Sequence, residues 1–490
     1  MPCFRAAIPL MRSAFLQVSP VLAPLQQTAS IRAALLKREL ATTFALAWPL
    51  ILANLAINAM TATDFMFLGW LSPHALAAGA LGLSLYQPMF LLGIGVVGAL
   101  SPIAAAKIGA GEEPEALRRA THQALLSALL IAAAAWVVLW RAEAILLAIG
   151  EAPDLARDAK TYMRGLQWAL APGLLFVAGQ AIFAANERPR PALIAGLVAC
   201  AFNAIANYAL VFGNLGMPAL GIVGSGIATS LSGTLLFAIM VAASFVEPRM
   251  RRIRPFALPW RPRLTELKAQ WRLGLPIGAM IAAEVGVFCA STFAMGLIGQ
   301  TTLAAHTIAL QIASLAFMVP LGLGQAAAVR VGHAFGARNP VAIARAGWSA
   351  FGMTVSFAVL SATTMVAAPL ILIAPFMNVT APANAAAVGI AISLLRVAAI
   401  FQVFDASQVA LANMLRGLHD SRWPLVIALA GYWAVGAPVG VALGFLTPLR
   451  GVGVWVGLAS GLAVVAALLM ARWLGKEQRG FLAPAPAEAV

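Results

Sequence analysis

Apolar positions along this chain neither alternate nor keep to one helical face; they run on. A helix crossing ~30 Å of hydrocarbon needs roughly 20 mostly apolar residues. Twelve such runs follow one another, at 43–70, 76–106, 121–149, 161–186, 191–213, 219–246, 272–299, 303–329, 346–375, 385–415, 422–446 and 451–474. Runs of this length predict helices that are apolar all round. The longest connection, from Glu247 to about Trp271, follows the sixth run. The pattern therefore predicts an all-α polytopic membrane protein with twelve transmembrane helices in two pseudo-symmetric six-helix bundles. One lobe covers 40–246 and the other 271–475, with a basic linker over 247–270 and a tail over 476–490.

The halves also repeat. A shift of 227 positions aligns Glu39 to Arg118 with the second half without a gap. Glu39-Leu40 falls on Glu266-Leu267, Pro49 on Pro276, Gly95 on Gly322, Gly109-Ala110 on Gly336-Ala337 and Arg118 on Arg345. Apolar composition alone does not match Pro, Gly and Glu at one constant offset. Six runs per half make the repeat parallel, an arrangement of secondary transporters with the site between the halves.

Composition narrows the class. Of 490 residues, 62% are hydrophobic and 10% charged, and the mean hydropathy is +0.90. Soluble domains are nearer half apolar and a quarter charged. The net charge of +15 would ordinarily suggest nucleic acid, but no large soluble face exists to carry a phosphate-binding patch. The partner is the lipid bilayer. Cys3, Cys200 and Cys289 are too scattered for a disulfide framework or metal motif. No HExxH, GxSxG or Cys/His cluster appears, so neither an enzyme nor a cofactor is expected.

Lys and Arg orient the set. With the N-terminus cytoplasmic, 26 of the 32 fall on that side, Arg416 among them, and five on the other, with Arg396 left inside a run. That bias is the positive-inside signature. It places both termini and the central linker in the cytoplasm and the chain in the cell inner membrane. Residues 1–39 are basic and lack the apolar core of a secretory signal. They read as a disordered extension or as sequence upstream of the true start.

Of the 17 acids, three fall inside runs: Asp64 in the first, Glu284 in the seventh and Asp405 in the tenth. An ionised group at the bilayer centre costs ~2.5–3.5 kcal/mol even on gentle scales. Each must face a polar cavity, pair with a cation or hold a proton, and each is a candidate cation or proton site. Glu284 and Asp405 lie at similar depth. The 227 shift places no acid opposite any of the three. The competing reading for each is a structural pair. His306 could relay protons or pack. Asn203 and Asn207, one turn apart, share a face and either line a cavity or bond between helices. Arg396 could pair with Glu284 or stay near outer water. Mid-run Pro49, Pro88, Pro276 and Pro438 allow bending.

Longer stretches bring a resemblance. AFNAIANYALVFGNLGMPALGIVGSGIAT (201–229), LGLPIGAMIAAEVGVF (273–288), the run 303–336 and QVFDASQVALANMLRGLHDSRWP (402–424) closely resemble spans 5–6, 7, 8 and 10 of the multidrug and toxic compound extrusion (MATE) family, NorM-like branch. WPLILANLAINAMTATDFMFLG (48–69) fits span 1. The likeness covers about 40 to 474. It implies an antiporter that exports small-molecule drugs or toxic organic cations by alternating access, coupled to H+ or Na+, and a monomer. It implies Asp64 in an N-lobe site and Glu284 with Asp405 in a C-lobe site that takes H+ or Na+. Further polar ligands to Asp64 are expected from span 4, where the candidates are Gln180 and Asn186. Gln180, Asn203, Asn207, His306 and Arg396 are candidates for the substrate cavity. Phe65, Phe67, Met280, Phe288 and Phe404 are candidate apolar walls. A lipid-linked oligosaccharide flippase shares the architecture, but would call for a strongly cationic cavity.

Overall fold

The computed structural model describes residues 23–481, with side chains from Lys37 onward. Twelve helices are long and apolar enough to cross a membrane. They are α1 (Ala23–Leu71), α2 (Pro73–Gly109), α3 (Pro114–Leu139), α4 (Pro153–Ala185), α5 (Arg190–Phe212), α6 (Ile222–Val246), α7 (Leu264–Ile298), α8 (Gln300–Gly336), α9 (Pro340–Ala367), α10 (Pro382–Gly417), α11 (Arg422–Phe445) and α12 (Gly451–Gln478). No strand occurs among the described residues.

Local chemistry sets the helix ends. Proline opens α2, α3, α4 and α9, where its missing N–H costs nothing. The Ser72 hydroxyl caps α2 by accepting from the Ala75 amide, and the Asn339 carbonyl oxygen caps α9 by accepting from Ala342, both at 3.0 Å.

Three expectations need correction. The run read as 121–149 is two helices, α3 and a short one at Ala142–Ile149. The break falls at Trp140-Arg141, where the Arg164 guanidinium stacks 3.7 Å over the Trp140 ring. The run read as 346–375 ends at Ala367, because Pro369 starts a separate turn, Pro369–Ile373. Helix α1 begins at Ala23, within the stretch taken as a disordered extension. The rest of that extension, 1–22, lies outside the described residues.

Buried apolar side chains form two main cores. One draws mainly on α1 to α6, with Leu323, Ala326 and Val329 added from α8; the other draws on α7 to α12. The polar contacts joining the two halves gather toward one end of the bundle, the end where α1 begins and α12 finishes. There Arg330 of α8 pairs with Glu39 at 2.7 Å and also donates to the Glu39 carbonyl and Thr43 hydroxyl of α1. His333 of α8 contacts the Ala185 carbonyl at 2.7 Å and the Glu187 carboxylate at 3.5 Å. His419 reaches the Pro102 carbonyl of α2 at 3.2 Å. Arg119 of α3 faces Glu266 of α7 at 3.4 Å, and Gln123 clasps the linker backbone at Arg261 and Arg263. The deepest inter-half polar contacts are Asn54 to Gln325 at 3.3 Å and Asn58 to the Met318 sulfur at 3.9 Å.

Candidate functional site

Two polar clusters sit inside otherwise apolar helices, one in each half.

The first is built on Asp64 of α1, which is 6% exposed. Asn203 and Asn207 of α5 donate to its Oδ1 at 3.0 and 2.7 Å, and Thr229 of α6 donates to its Oδ2 at 2.6 Å. Asn203 and Asn207 are both fully buried. Their one-turn spacing aims both amides at the same carboxylate. Three donors from two helices satisfy the charge of Asp64, which is the condition for keeping a carboxylate in an apolar interior. The Asn203 and Asn207 side-chain oxygens and the Ser225 hydroxyl have no hydrogen-bond partner among the described residues. Unclaimed acceptors therefore surround an anion.

The second cluster joins α7, α10 and α11. Gln408 donates to Glu284 Oε1 at 3.0 Å and, at 3.4 Å, to Asp405 Oδ1. One amide thus links the two carboxylates. Asp405 is buried and Glu284 half-buried. Glu284 lines a small cavity of about 10 Å³ with Val287, Phe288, Tyr432 and Leu458, about the room one water needs. The Tyr432 hydroxyl and Gln408 Oε1 are buried without a partner among the described residues. Both are oxygen atoms, the donor type that hard cations take.

A π-helical turn at Ala430–Gly436 brings Tyr432 there. Pro438 follows, and its missing N–H removes one helical bond and leaves room for the wider turn. Trp433 in the same turn donates to the Ala283 carbonyl of α7 at 3.2 Å, so adjacent residues of α11 both engage α7. Arg416 completes the cluster. It reaches the Met280 sulfur of α7 at 3.9 Å and Asn413 at 3.3 Å, and its charge acts on Glu284. It is not simply one of the surface cations at the basic end of α10, as its place in the sequence suggested, since its head is turned into the lobe.

A match to the MatE family covers residues 49–209 and 276–442. The chain belongs to the MatE family. The match takes in both halves and all three intramembrane acids. The chain is 50% identical over 443 residues to a probable multidrug resistance protein NorM of Mesorhizobium japonicum, covering 90% of this chain and 95% of that protein. It is 42% identical over 437 residues to a protein of the same name from Brucella suis, covering 89% and 93%. Among solved structures it is similar to the eukaryotic MATE transporter AtDTX14, with a TM-score of 0.80 at 22% identity over 91% of this chain and 99% of that one. It is also similar to a MATE in the straight conformation, with a TM-score of 0.81 at 19% identity over 90% and 97%. As a MatE protein the chain is a multi-pass membrane transporter and not an enzyme.

Within this MatE fold the remaining candidates scatter. Span 4 does not supply the Asp64 ligands: Gln180 makes no hydrogen bond to Asp64, and Asn186 bonds the Ile182 carbonyl of its own helix at 2.9 Å. The ligands come from α5 and α6. His306 is fully buried with both ring nitrogens engaged. Trp455 donates to Nδ1 at 3.0 Å, and Nε2 meets the Thr292 hydroxyl at 3.1 Å. With Nδ1 accepting, Nε2 carries the proton, and Thr292 passes its own on to the Phe288 carbonyl at 3.0 Å. That is a closed packing network. Arg396 lies in a groove between α9 and α10 and is exposed.

Sequence reasoning missed Thr229, Gln408, Arg416 and Tyr432. Gln408 was within reach of inference, because it follows Asp405 by one turn and so shares its face. Nothing local marks Thr229, which α6 brings to Asp64 from 165 positions away.

Proposed function

We propose that this transporter exports small, amphipathic organic cations from the cytoplasmic side in exchange for H+ or Na+. The observation that carries the reading is the pair Glu284 and Asp405 on one amide, with unclaimed oxygens of Gln408 and Tyr432 beside them. Such a site takes one proton or one small cation, and occupancy changes the charge held inside the lobe. Asp64, ringed by neutral donors, is the second coupling group. The names of the NorM relatives support drugs as cargo.

The basic end, with both termini and the linker, is cytoplasmic in the inner membrane on the Lys and Arg bias. On that orientation the polar contacts between the halves lie toward the cytoplasmic end. Alternating access requires Arg330, His333 and His419 to release their partners in the other half. Inward cation movement supplies ~2.3 kcal/mol per charge per 100 mV. Each half contains its own cluster, so this reading needs no second copy of the chain.

Everted vesicles loaded with a panel of cationic and anionic dyes test this reading. Dye accumulation should collapse when the H+ gradient or the Na+ gradient is removed, one of the two and not both. Accumulation that survives loss of both gradients would sink the exchange mechanism.

A further inference from the structure

Arg396 lies well inside an apolar helical run, eleven residues from the start of Ala385–Gly417, and has neither a hydrogen bond nor an ion pair among the described residues. An unpaired guanidinium in a membrane-spanning helix is costly unless it meets water or an anion. Its surroundings are specific. It lines a groove of about 620 Å³ whose other walls include Val366 of α9 and Ala399, Ile400, Val403 and Phe404 of α10.

Depth locates the groove. The regular part of α10, Ala385–Gly417, has 33 residues, or ~50 Å at 1.5 Å per residue. That exceeds the ~30 Å hydrocarbon layer by ~20 Å. With the excess shared between both ends, Arg396 sits roughly 6 Å below the hydrocarbon boundary at the end away from the termini. A snorkelling arginine spans that distance, so its head reaches the phosphate level while the groove below stays in the acyl region. Val359, Leu360, Leu370 and Ile371 nearby are exposed, so the groove opens in an apolar surface of the kind that meets lipid.

The other half lacks this feature. At the 227 offset Thr363 of the groove corresponds to Trp136. Trp136 packs against Trp168 with ring centroids 5.0 Å apart and donates to the Gln167 carbonyl at 2.7 Å. Aromatic rings fill in α3 and α4 what α9 and α10 leave open.

We propose that the α9–α10 groove binds one anionic phospholipid of the surrounding bilayer, its phosphate on Arg396 and one acyl chain along Ile400, Val403 and Phe404. Charge complementarity selects the head, and the apolar walls accept the chain. The groove shares no lining residue with the cavity beside Glu284, and its proposed role does not depend on the efflux reading.

The test uses the full chain reconstituted in vesicles of phosphatidylcholine with phosphatidylglycerol, extracted gently and weighed by native mass spectrometry. Wild type should retain one phosphatidylglycerol in preference to phosphatidylcholine. Arg396→Gln should cut that preference by about fivefold, the worth of one cation near a lipid surface, and Arg396→Lys should keep part of it. Val403→Trp should reduce retention with Arg396 intact. It also serves if Arg396→Gln fails to insert. Unchanged retention in Arg396→Gln or in Val403→Trp overturns the proposal, as does equal retention of the two lipids. Displacement of the retained lipid by a water-soluble transported dye also overturns it and makes the groove a cargo site.

Discussion

Gly109 and Gly336 pack reciprocally across the two halves. A Cβ on Gly109 would overlap the His333 backbone, and a Cβ on Gly336 would overlap Ala106. These are the same contact twice, because each position of one pair is the other's plus 227. Gly95 and Gly322 repeat the relation, the first against Gly278 and the second against Ile51. The matched glycines are therefore the crossing points of α2 with α8, α2 with α7 and α1 with α8, placed about a pseudo-twofold axis. Gly336→Val should destabilise this packed end by about 1–3 kcal/mol of overpacking. Transport should fall sharply while insertion persists, and labelling of a cysteine placed at Ala106 should rise. Wild-type transport and labelling would mean that the helices do not need this approach.

The carboxylate pair gives a prediction about additivity. Gln408 holds Glu284 and Asp405 together, so losing either acid should disable the same site. Asp405→Asn and Glu284→Gln should each stop gradient-driven efflux with expression intact. The double variant should lie within about twofold of the worse single, as for residues acting as a unit. Independent, multiplying losses in a vesicle assay would show two separate roles. Gln408→Leu removes the shared donor and should impair efflux with both acids present.

One part of the acid response of the closed end follows from His419. Burial lowers the His419 imidazole below its ordinary value, opposed by the Pro102 carbonyl and aided by Lys107. The closed form therefore holds His419 neutral, and the released form takes up a proton first. Closure should weaken as pH falls below about 6.5, the ordinary histidine value. Glu187, held below the carboxylate range by its bond from His333, supports closure above its ordinary value. Its support is lost only as pH falls through the lowered folded value, so it stays ionised between about pH 7.5 and 5.5. Across that window hydrogen exchange at Leu418 to Ser421, corrected for intrinsic rate, should accelerate more in wild type than in His419→Asn. Equal acceleration in both would remove His419 from the account.

The twelve spans, the repeat and the three acids were legible because a bilayer penalises polar groups strongly enough to leave gaps in an apolar text. Asn203 and Asn207 were visible as a pair on one face, yet their target was not, because the contact to Asp64 spans about 140 positions. Arg416 was placed at the right end of its helix, but its turn toward Glu284 was not legible: counting cations by loop assigns a side, not the direction of a side chain. The ends of α3 and α9 were overrun because apolar residues continue past Trp140 and Pro369, where a stacked arginine and a proline end the helix.

The Asp64 cluster allows function to be separated from stability. Asp64→Asn is isosteric. The side-chain oxygens of Asn203 and Asn207 are free to accept, so turning either amide over gives the new amide group a partner, and the fold should survive with little change in Tm. Thr229→Val has the opposite character. It removes a 2.6 Å bond to a carboxylate, worth ~1.5–3 kcal/mol for a charged acceptor, yet keeps the acid itself. If Asp64 couples transport to a cation, Asp64→Asn should abolish dye efflux at near-normal Tm. Thr229→Val should lower Tm by a few degrees, retain partial efflux and change the cation concentration that gives half-maximal rate. If Asp64 is only a structural anchor, efflux in both variants should track Tm, and Asp64→Asn should pump at nearly the wild-type rate. Thermal unfolding in detergent and initial rates in vesicles, measured on the same preparations, distinguish the two.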